Sequence, residues 1–343
     1  MPDVFPFQPL QYQNGADDVS AMVAPPYDVL DAKQKAELLS KNDRNVVSID
    51  LPHVPAKELG PPEAYEGAAS RLASWIESGV LAQSDSPAIF AYRQTFEFAG
   101  RGYERCGMAC CLETRPFGRA PGGGILAHEE TFSGPKADRI ALMRATRTQL
   151  SPIFCLHPDE SASASSLIRE VAVSRRPDQT ADLGDGVRHE IWRIEDPDTI
   201  ARYQSALEGE DVFVADGHHR YNTAVNYRKE LEAGGPLPEG HPATRTMAVL
   251  VGMNDPGLAI GPTHRVLGGM RDYALDRLLE GLSPFFNALE TTAPAERIET
   301  EMFAQAPTGL TESSAGCVLG LVDFASGRRF VLTPRQPDPL GTT

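Results

Sequence analysis

Apolar positions recur along this chain with either a helical or a two-residue period, and the two regimes alternate. Positions 32–40 follow Asp31, a residue type that opens helices, and read as a short helix. The run 46–51 reads as a strand, and 62–78 as an amphipathic helix beginning at Pro62. Residues 88–98 and 103–115 alternate polar and apolar around Ala99-Gly100-Arg101-Gly102, which predicts a β-hairpin. Past the glycine loop Pro121-Gly122-Gly123-Gly124, a helix is expected over 136–150 with Ile140, Met143 and Leu150 on its apolar side. Strands are then expected at 153–156, 187–194, 212–215 and 247–251, with helices between them at 162–173, 198–207 and 218–232. After Leu267 the pattern predicts one more helix, a short strand and a final hairpin near 316–333.

This alternation implies an α/β (α+β mixed) fold, a mixed sheet with flanking helices. No linker divides the chain cleanly. The motifs suggest an N-terminal α/β part with the hairpin over 1–120, a core over 121–270, a C-terminal α/β extension over 271–334 and a tail at 335–343. The Gly/Pro/Glu-rich stretch 233–243 reads as a surface loop, and 334–343 hold prolines without a periodic pattern, as expected of a disordered tail or of a cut made before a further element.

Composition narrows the function classes. With 343 residues the chain can bury a core without disulfide or metal support. Its formal charge of −15 repels a phosphate polymer, and no basic strip offsets it, so nucleic acid is not the expected partner. There is no run of about 18 apolar residues to cross a bilayer, and Met1-Pro2-Asp3-Val4-Phe5-Pro6 lacks the basic and apolar regions of a secretory signal. A cytoplasmic enzyme is the expectation; the oligomeric state is not legible. Cysteines 106, 110, 111, 155 and 317 sit mostly in apolar segments without Cys-x2-Cys pairs, and read as buried thiols, not zinc ligands.

The most informative stretch is Asp211-Val212-Phe213-Val214-Ala215-Asp216-Gly217-His218-His219-Arg220-Tyr221. An apolar strand ends at Asp216, Gly217 allows a tight turn and a helix follows. The first helical N–H groups and the side chains of His218, His219 and Arg220 are expected to converge on one point, which favours an anion. The plainer alternative is a surface turn whose His and Arg are merely solvated. A second cluster, His128-Glu129-Glu130-Thr131 followed by Lys136, Asp138 and Arg139, crowds ionisable residues behind the triple glycine. Phe132 stands where a zinc protease motif needs its second His, and the residues around Lys136 do not make a P-loop. What survives is a set of acids able to hold magnesium or orient a hydroxyl, with Lys136 and Arg139 able to meet phosphate; the alternative is a charged first helical turn. Pro25-Pro26-Tyr27-Asp28 offers Asp28 as a general base or as a turn-capping residue. Gly261-Pro262-Thr263-His264-Arg265 repeats the Gly, His, Arg theme, either at a site or in an ordinary loop.

Taken in order, Pro26-Tyr27-Asp28-Val29, His128-Glu129-Glu130-Thr131 with Lys136-Ala137-Asp138-Arg139, Ser151-Pro152-Ile153-Phe154, Asp216-Gly217-His218-His219-Arg220-Tyr221 and Pro262-Thr263-His264-Arg265 resemble domain of unknown function family 1015 from about residue 5 to 270. Members are often longer, so the C-terminal region here reads as short. The Asp-Gly-His-His-Arg block is similar to the phosphate-gripping turn of the ParB/sulfiredoxin-like superfamily, and its nearest relatives in motif are free serine kinases. The resemblance implies a ParB/sulfiredoxin-like nucleotide-binding core and a kinase that uses ATP or ADP with Mg2+ on a small hydroxylated metabolite, possibly free L-serine. It implies that Gly217, His218, His219 and Arg220 hold phosphates, with His128, Lys136, Arg139, His264 and Arg265 also on the nucleotide. Asp216 and Glu130 would serve the metal, and Asp28 would take the substrate proton, with Glu129 or Glu130 as rivals and Asp216 steadying the turn. A ParB-like regulatory protein with slow or no hydrolysis is the alternative. A sulfiredoxin-like reaction is disfavoured because His218 occupies the position of that enzyme's catalytic Cys.

Overall fold

The computed structural model describes residues 3–13, 17–98, 100–131, 133–259, 261, 264–298, 301–302 and 318–335. Cys317, Pro262, Thr263, most of the segment before the final hairpin and the tail from 336 lie outside them. In chain order the elements are β1 (Val4–Phe5), β2 (Leu10–Tyr12), α1 (Ala32–Lys41), α2 (Val47–Asp50), α3 (Pro62–Glu77), β3 (Leu81–Gln83), β4 (Ile89–Phe98), β5 (Arg101–Glu113) and β6 (Ile125–Leu126). There follow α4 (Ser133–Thr146), β7 (Ile153–His157), α5 (Ser163–Ser174), β8 (Gln179–Asp182), β9 (Arg188–Ile194), α6 (Pro197–Ala206), β10 (Val212–Asp216), α7 (His218–Glu232) and β11 (Arg245–Gly252). The last are α8 (Leu275–Leu282), β12 (Phe286–Glu290), β13 (Leu319–Val322) and β14 (Arg329–Pro334).

The chain forms two compact units, residues 1–97 with 102–258, and residues 98–101 with 259–343. The first is built on a nine-stranded mixed sheet in the order β6-β10-β7-β11-β5-β4-β9-β8, with β1 added beside β5. Strands from both sides of residue 120 therefore share one sheet. Side-chain alternation turns one face of these strands into the core. Ile153 and Cys155 on β7, Val212 and Val214 on β10, and Ala248 and Leu250 on β11 are all fully buried in one cluster with Leu167, Ile168 and Tyr203 of α5 and α6. In the second unit β12-β14-β13 form a separate antiparallel sheet, whose Phe286, Phe330 and Leu332 pack on leucines of α8. No described helix is long and apolar enough to cross a membrane. Cys106, Cys110, Cys111 and Cys155 are free and buried, and burial pushes the Cys106 thiol up to about 11.

The predicted helices and sheet strands from residue 62 to 252 are found within a few residues of their expected limits. The segment 46–51 is a correction: it forms the helical turn α2, not a strand. All four α2 residues are buried, so there is no solvent face for alternation to describe. Asn45 decides the local conformation. Its Oδ1 accepts the Val47 N–H at 2.9 Å, while its Nδ2 donates to the carbonyls of Ala21 and Val23, at 3.0 and 2.7 Å.

A buried ionic network lies between α2, α3 and α4. Arg139 donates through Nη1 to Asp50 O at 2.7 Å and through Nε to Asp138 Oδ2 at 2.7 Å. Asp138, fully buried, accepts the Tyr65 hydroxyl at 2.9 Å and lies 3.0 Å from His53 Nε2. Ser151 donates to Asp50 Oδ2, and the Arg139 guanidinium lies 3.8 Å from the centre of the Tyr27 ring. Arg139 is thus committed to the interior, which corrects its expected place on phosphate. Removing it leaves two carboxylates buried without their counter-charge, so Arg139→Met is expected to lower the urea unfolding free energy by about 3–5 kcal/mol. Arg144→Met, which breaks an exposed pair with Glu230, is expected to change it by about 1 kcal/mol or less. Equal effects of the two variants would show that the interior network does not hold these segments.

Candidate functional site

The junction of β10 and α7 is shaped by Gly217, whose φ is +95°. A Cβ there would lie 3.0 Å from Ile153 Cγ2 and 3.1 Å from the Arg220 Cζ, so both the conformation and the space require glycine. No side chain caps α7, leaving its first amides facing outward with the positive end of the helix dipole. Arg220 folds back over the glycine, donating to the Pro152 carbonyl and to Asp216 Oδ2. His218 turns the other way. It is 2% exposed, with Nδ1 3.1 Å from Glu129 Oε1 and Nε2 3.4 Å from the His128 backbone nitrogen.

The expected convergence of three cations on one point is therefore corrected. Successive helical side chains are rotated by about 100°, so positions 218 and 220 face nearly opposite sides. Between them, His219 lies in the field of Glu129, Lys57, Lys136 and Asp28. Lys57 Nζ is 3.5 Å from Asp28 Oδ2, and the Lys57 carbonyl lies against Gly134, where a Cβ would come within 3.1 Å of it. Asp28, Lys57 and Lys136 thus lie within electrostatic reach of His219 at the start of α7, while Arg220, the next residue, is paired with Asp216. Lys57 was not legible in the sequence, because it sits in an irregular loop with no periodic neighbours, where its own φ is +69°.

Arg220 and Asp216 open on a cavity of about 640 Å³, within the range of small-molecule sites. Tyr27, Pro152 and Phe154 form part of its wall, and Tyr92, Arg105 and His189 another part. Arg105 donates to Gln94 Oε1 from Nε and Nη2, at 3.0 and 2.6 Å, and lies 5.0 Å from the centre of the Phe154 ring. Among the described residues no carboxylate is within ion-pair distance of Arg105. Tyr92 Oη is 2.6 Å from His189 Nδ1, and the buried His189 Nε2 makes no hydrogen bond among the described residues.

On the other side of α7, a cavity of about 580 Å³ is bordered by Phe117, His128, Glu129, Glu130, Thr131 and Asn222. His128 Nδ1 is 3.0 Å from the Val214 carbonyl, and the His128 and His218 rings meet edge to face with centroids 4.4 Å apart. One ligand atom each from His128, Glu129 and His218 lies within 4.8 Å of the others. The expected metal residues are placed differently: Asp216 is paired with Arg220, and Glu130 is exposed at the rim. His264 and Arg265 are exposed residues of the second unit.

Comparison with family models matches residues 4–323 to the family described as Protein of unknown function (DUF1015). The chain belongs to the DUF1015 family. No curated protein and no solved structure matches it. The five sequence motifs all lie inside the span that this DUF1015 chain shares with the family.

Burial lowers the proton affinity of His157, His189, His218 and His219 below the ordinary value of 6.5. Glu129 opposes this at His218 and His219 without overcoming it. Between the lowered values and 6.5 the unfolded DUF1015 chain binds more protons than the folded one, so stability falls as pH drops through that window. The urea midpoint is expected to be lower at pH 5.5 than at pH 7.5. A midpoint that rises on this acidification would contradict neutral, buried imidazoles.

Proposed function

We propose that this DUF1015 protein is a nucleotide-dependent phosphotransferase with a ParB/sulfiredoxin-like core, which moves a phosphoryl group from ATP or ADP to the hydroxyl of a small metabolite. The observation that carries the reading is that Lys57 and Lys136 act electrostatically on His219 at the uncapped start of α7, next to Arg220 on the wall of a ligand-sized cavity. Phosphoryl transfer asks mainly for positioning and charge neutralisation, and amides with fixed cations supply both. The overall negative charge keeps polyanions away while this local group attracts a mononucleotide.

In this reading the α7 amides, His219 and Arg220 hold the phosphates, and Lys57 and Lys136 neutralise charge as the bond to the leaving nucleotide breaks. Asp28 takes the proton of the acceptor hydroxyl as its oxygen bonds to phosphorus, with Glu129 and Glu130 as rivals. Magnesium takes hard oxygen ligands and suits the carboxylate of Asp216 on the wall of this cavity; when bound it would neutralise phosphate charge, whereas Glu130 borders the cavity on the other side of α7. The acceptor occupies the cavity near Arg105, whose guanidinium lacks a carboxylate partner among the described residues and so favours an acceptor that carries one, such as a hydroxylated amino acid. The Lys57–Asp28 pair favours a second reading, in which nucleotide binds and the carboxylate stays engaged, as in a regulatory module.

The test is incubation with ATP or ADP, magnesium and a mixture of hydroxylated amino acids, followed by mass spectrometry. A phosphorylated amino acid is expected. Nucleotide consumption without one favours the regulatory module. Arg220→Ala is expected to weaken nucleotide binding at least about tenfold, by loss of a charge-assisted contact. Asp28→Asn is expected to keep binding and reduce turnover by about 100-fold or more. Binding by Arg220→Ala equal to that of the parent would remove the phosphate role from the turn.

A further inference from the structure

We propose that His128, Glu129 and His218 form a binding site for one divalent transition metal ion, of the Zn2+ class, independent of the nucleotide. Three side chains from two separate segments, the loop after β6 and the first turn of α7, each place a ligand atom within 4.8 Å of the others. The 3.1 Å between His218 Nδ1 and Glu129 Oε1 is a few tenths of an ångström short of the spacing of two ligands on one tetrahedral ion, about 3.3–3.6 Å for bonds near 2.0–2.2 Å, so a small side-chain rotation admits the ion. His128 is oriented as a ligand: its Nδ1 is held by the Val214 carbonyl at 3.0 Å, which fixes the tautomer and leaves Nε2 without the ring proton. An ion on His218 Nδ1 shifts that ring's proton to Nε2 and gives up only the long 3.4 Å contact with the His128 N–H.

The donor set decides the class of ion. Two imidazoles and one carboxylate suit Zn2+ and its first-row neighbours, whereas Mg2+ takes oxygen ligands and keeps its waters. The helix dipole at the start of α7 opposes a cation, and the negative charge of Glu129 offsets it. Three protein ligands leave a position open, and His128 and Glu129 are exposed on the 580 Å³ cavity, so water or an anionic ligand completes the shell.

The full-length protein, freed of metal and without nucleotide, is titrated with Zn2+ against a chromophoric chelator. About one ion per chain is expected. His128→Ala and Glu129→Gln, both at exposed side chains, are each expected to weaken Zn2+ binding by about tenfold or more. His264→Ala in the second unit is expected to leave it unchanged, and a hundredfold excess of Mg2+ is expected not to displace the ion. No Zn2+ binding by the parent, undiminished binding by either variant at 128 or 129, or ready displacement by Mg2+ would each overturn the site. Since no nucleotide is present, zinc binding in a protein that never phosphorylates a metabolite leaves this site standing and removes only the phosphotransferase reading.

Discussion

The buried pairing of Arg139 with Asp50 and Asp138 is the constraint on which the arrangement around α7 depends. Charges this deep are tolerated only when their partners are fixed, so the network specifies which segments meet. Asp50 brings α2, and through Ser151 the start of β7. Asp138 brings His53 and Tyr65. The face of the Arg139 guanidinium holds Tyr27. Asp28 is the next residue after Tyr27, and Lys57 lies four residues beyond His53. Asp28 and Lys57, far apart in sequence, are thus carried towards the start of α7 by the buried network.

The electrostatics of the site follow from unequal burial. His218 and His219 lose proton affinity because their rings are withdrawn from water, while Lys57 and Lys136 add to that loss at His219. Neutral imidazoles contribute donors and lone pairs, not net charge, which leaves the lysines and Arg220 as the fixed cations around the start of α7. Arg220 is partly neutralised by Asp216, so an incoming anion has to compete with that carboxylate for the guanidinium. Arg105 has Gln94 beside it and no such competitor among the described residues. The cavity therefore contains two differently balanced guanidiniums, one shared with a carboxylate and one with neutral groups.

Much of the first unit was legible because its strands and helices are long enough for periodicity to register. The strand, glycine and helix at 212–232 follow directly from an apolar run, a left-handed turn and a helical pattern. What escaped was set by tertiary contacts. Segment 46–51 has no exposed face, and Asn45 turns it into a helix through bonds to residues more than 20 positions earlier. Arg139 looked like a surface cation in a charged run. Its burial depends on Asp50, which no local pattern could supply. His128 and Glu129 stood out as ionisable residues beside a glycine loop, yet their common partner was His218, ninety positions from His128.

The same 100° step that spoils a single three-cation cradle sends the side chains of the first turn of α7 to separate sides. His218 points into the loop after β6, where an imidazole and a carboxylate wait at ligand spacing, and Arg220 points over Gly217 into the larger cavity. His219 lies between them, under the influence of both the acidic loop and the two lysines. A side chain added at Gly217 would press on Ile153 and Arg220 together, disturbing the wall of the cavity and the guanidinium at once. His218 and Arg220 thus make their contacts on separate sides of one turn, the first with Glu129 and the second with Asp216 and the Pro152 carbonyl.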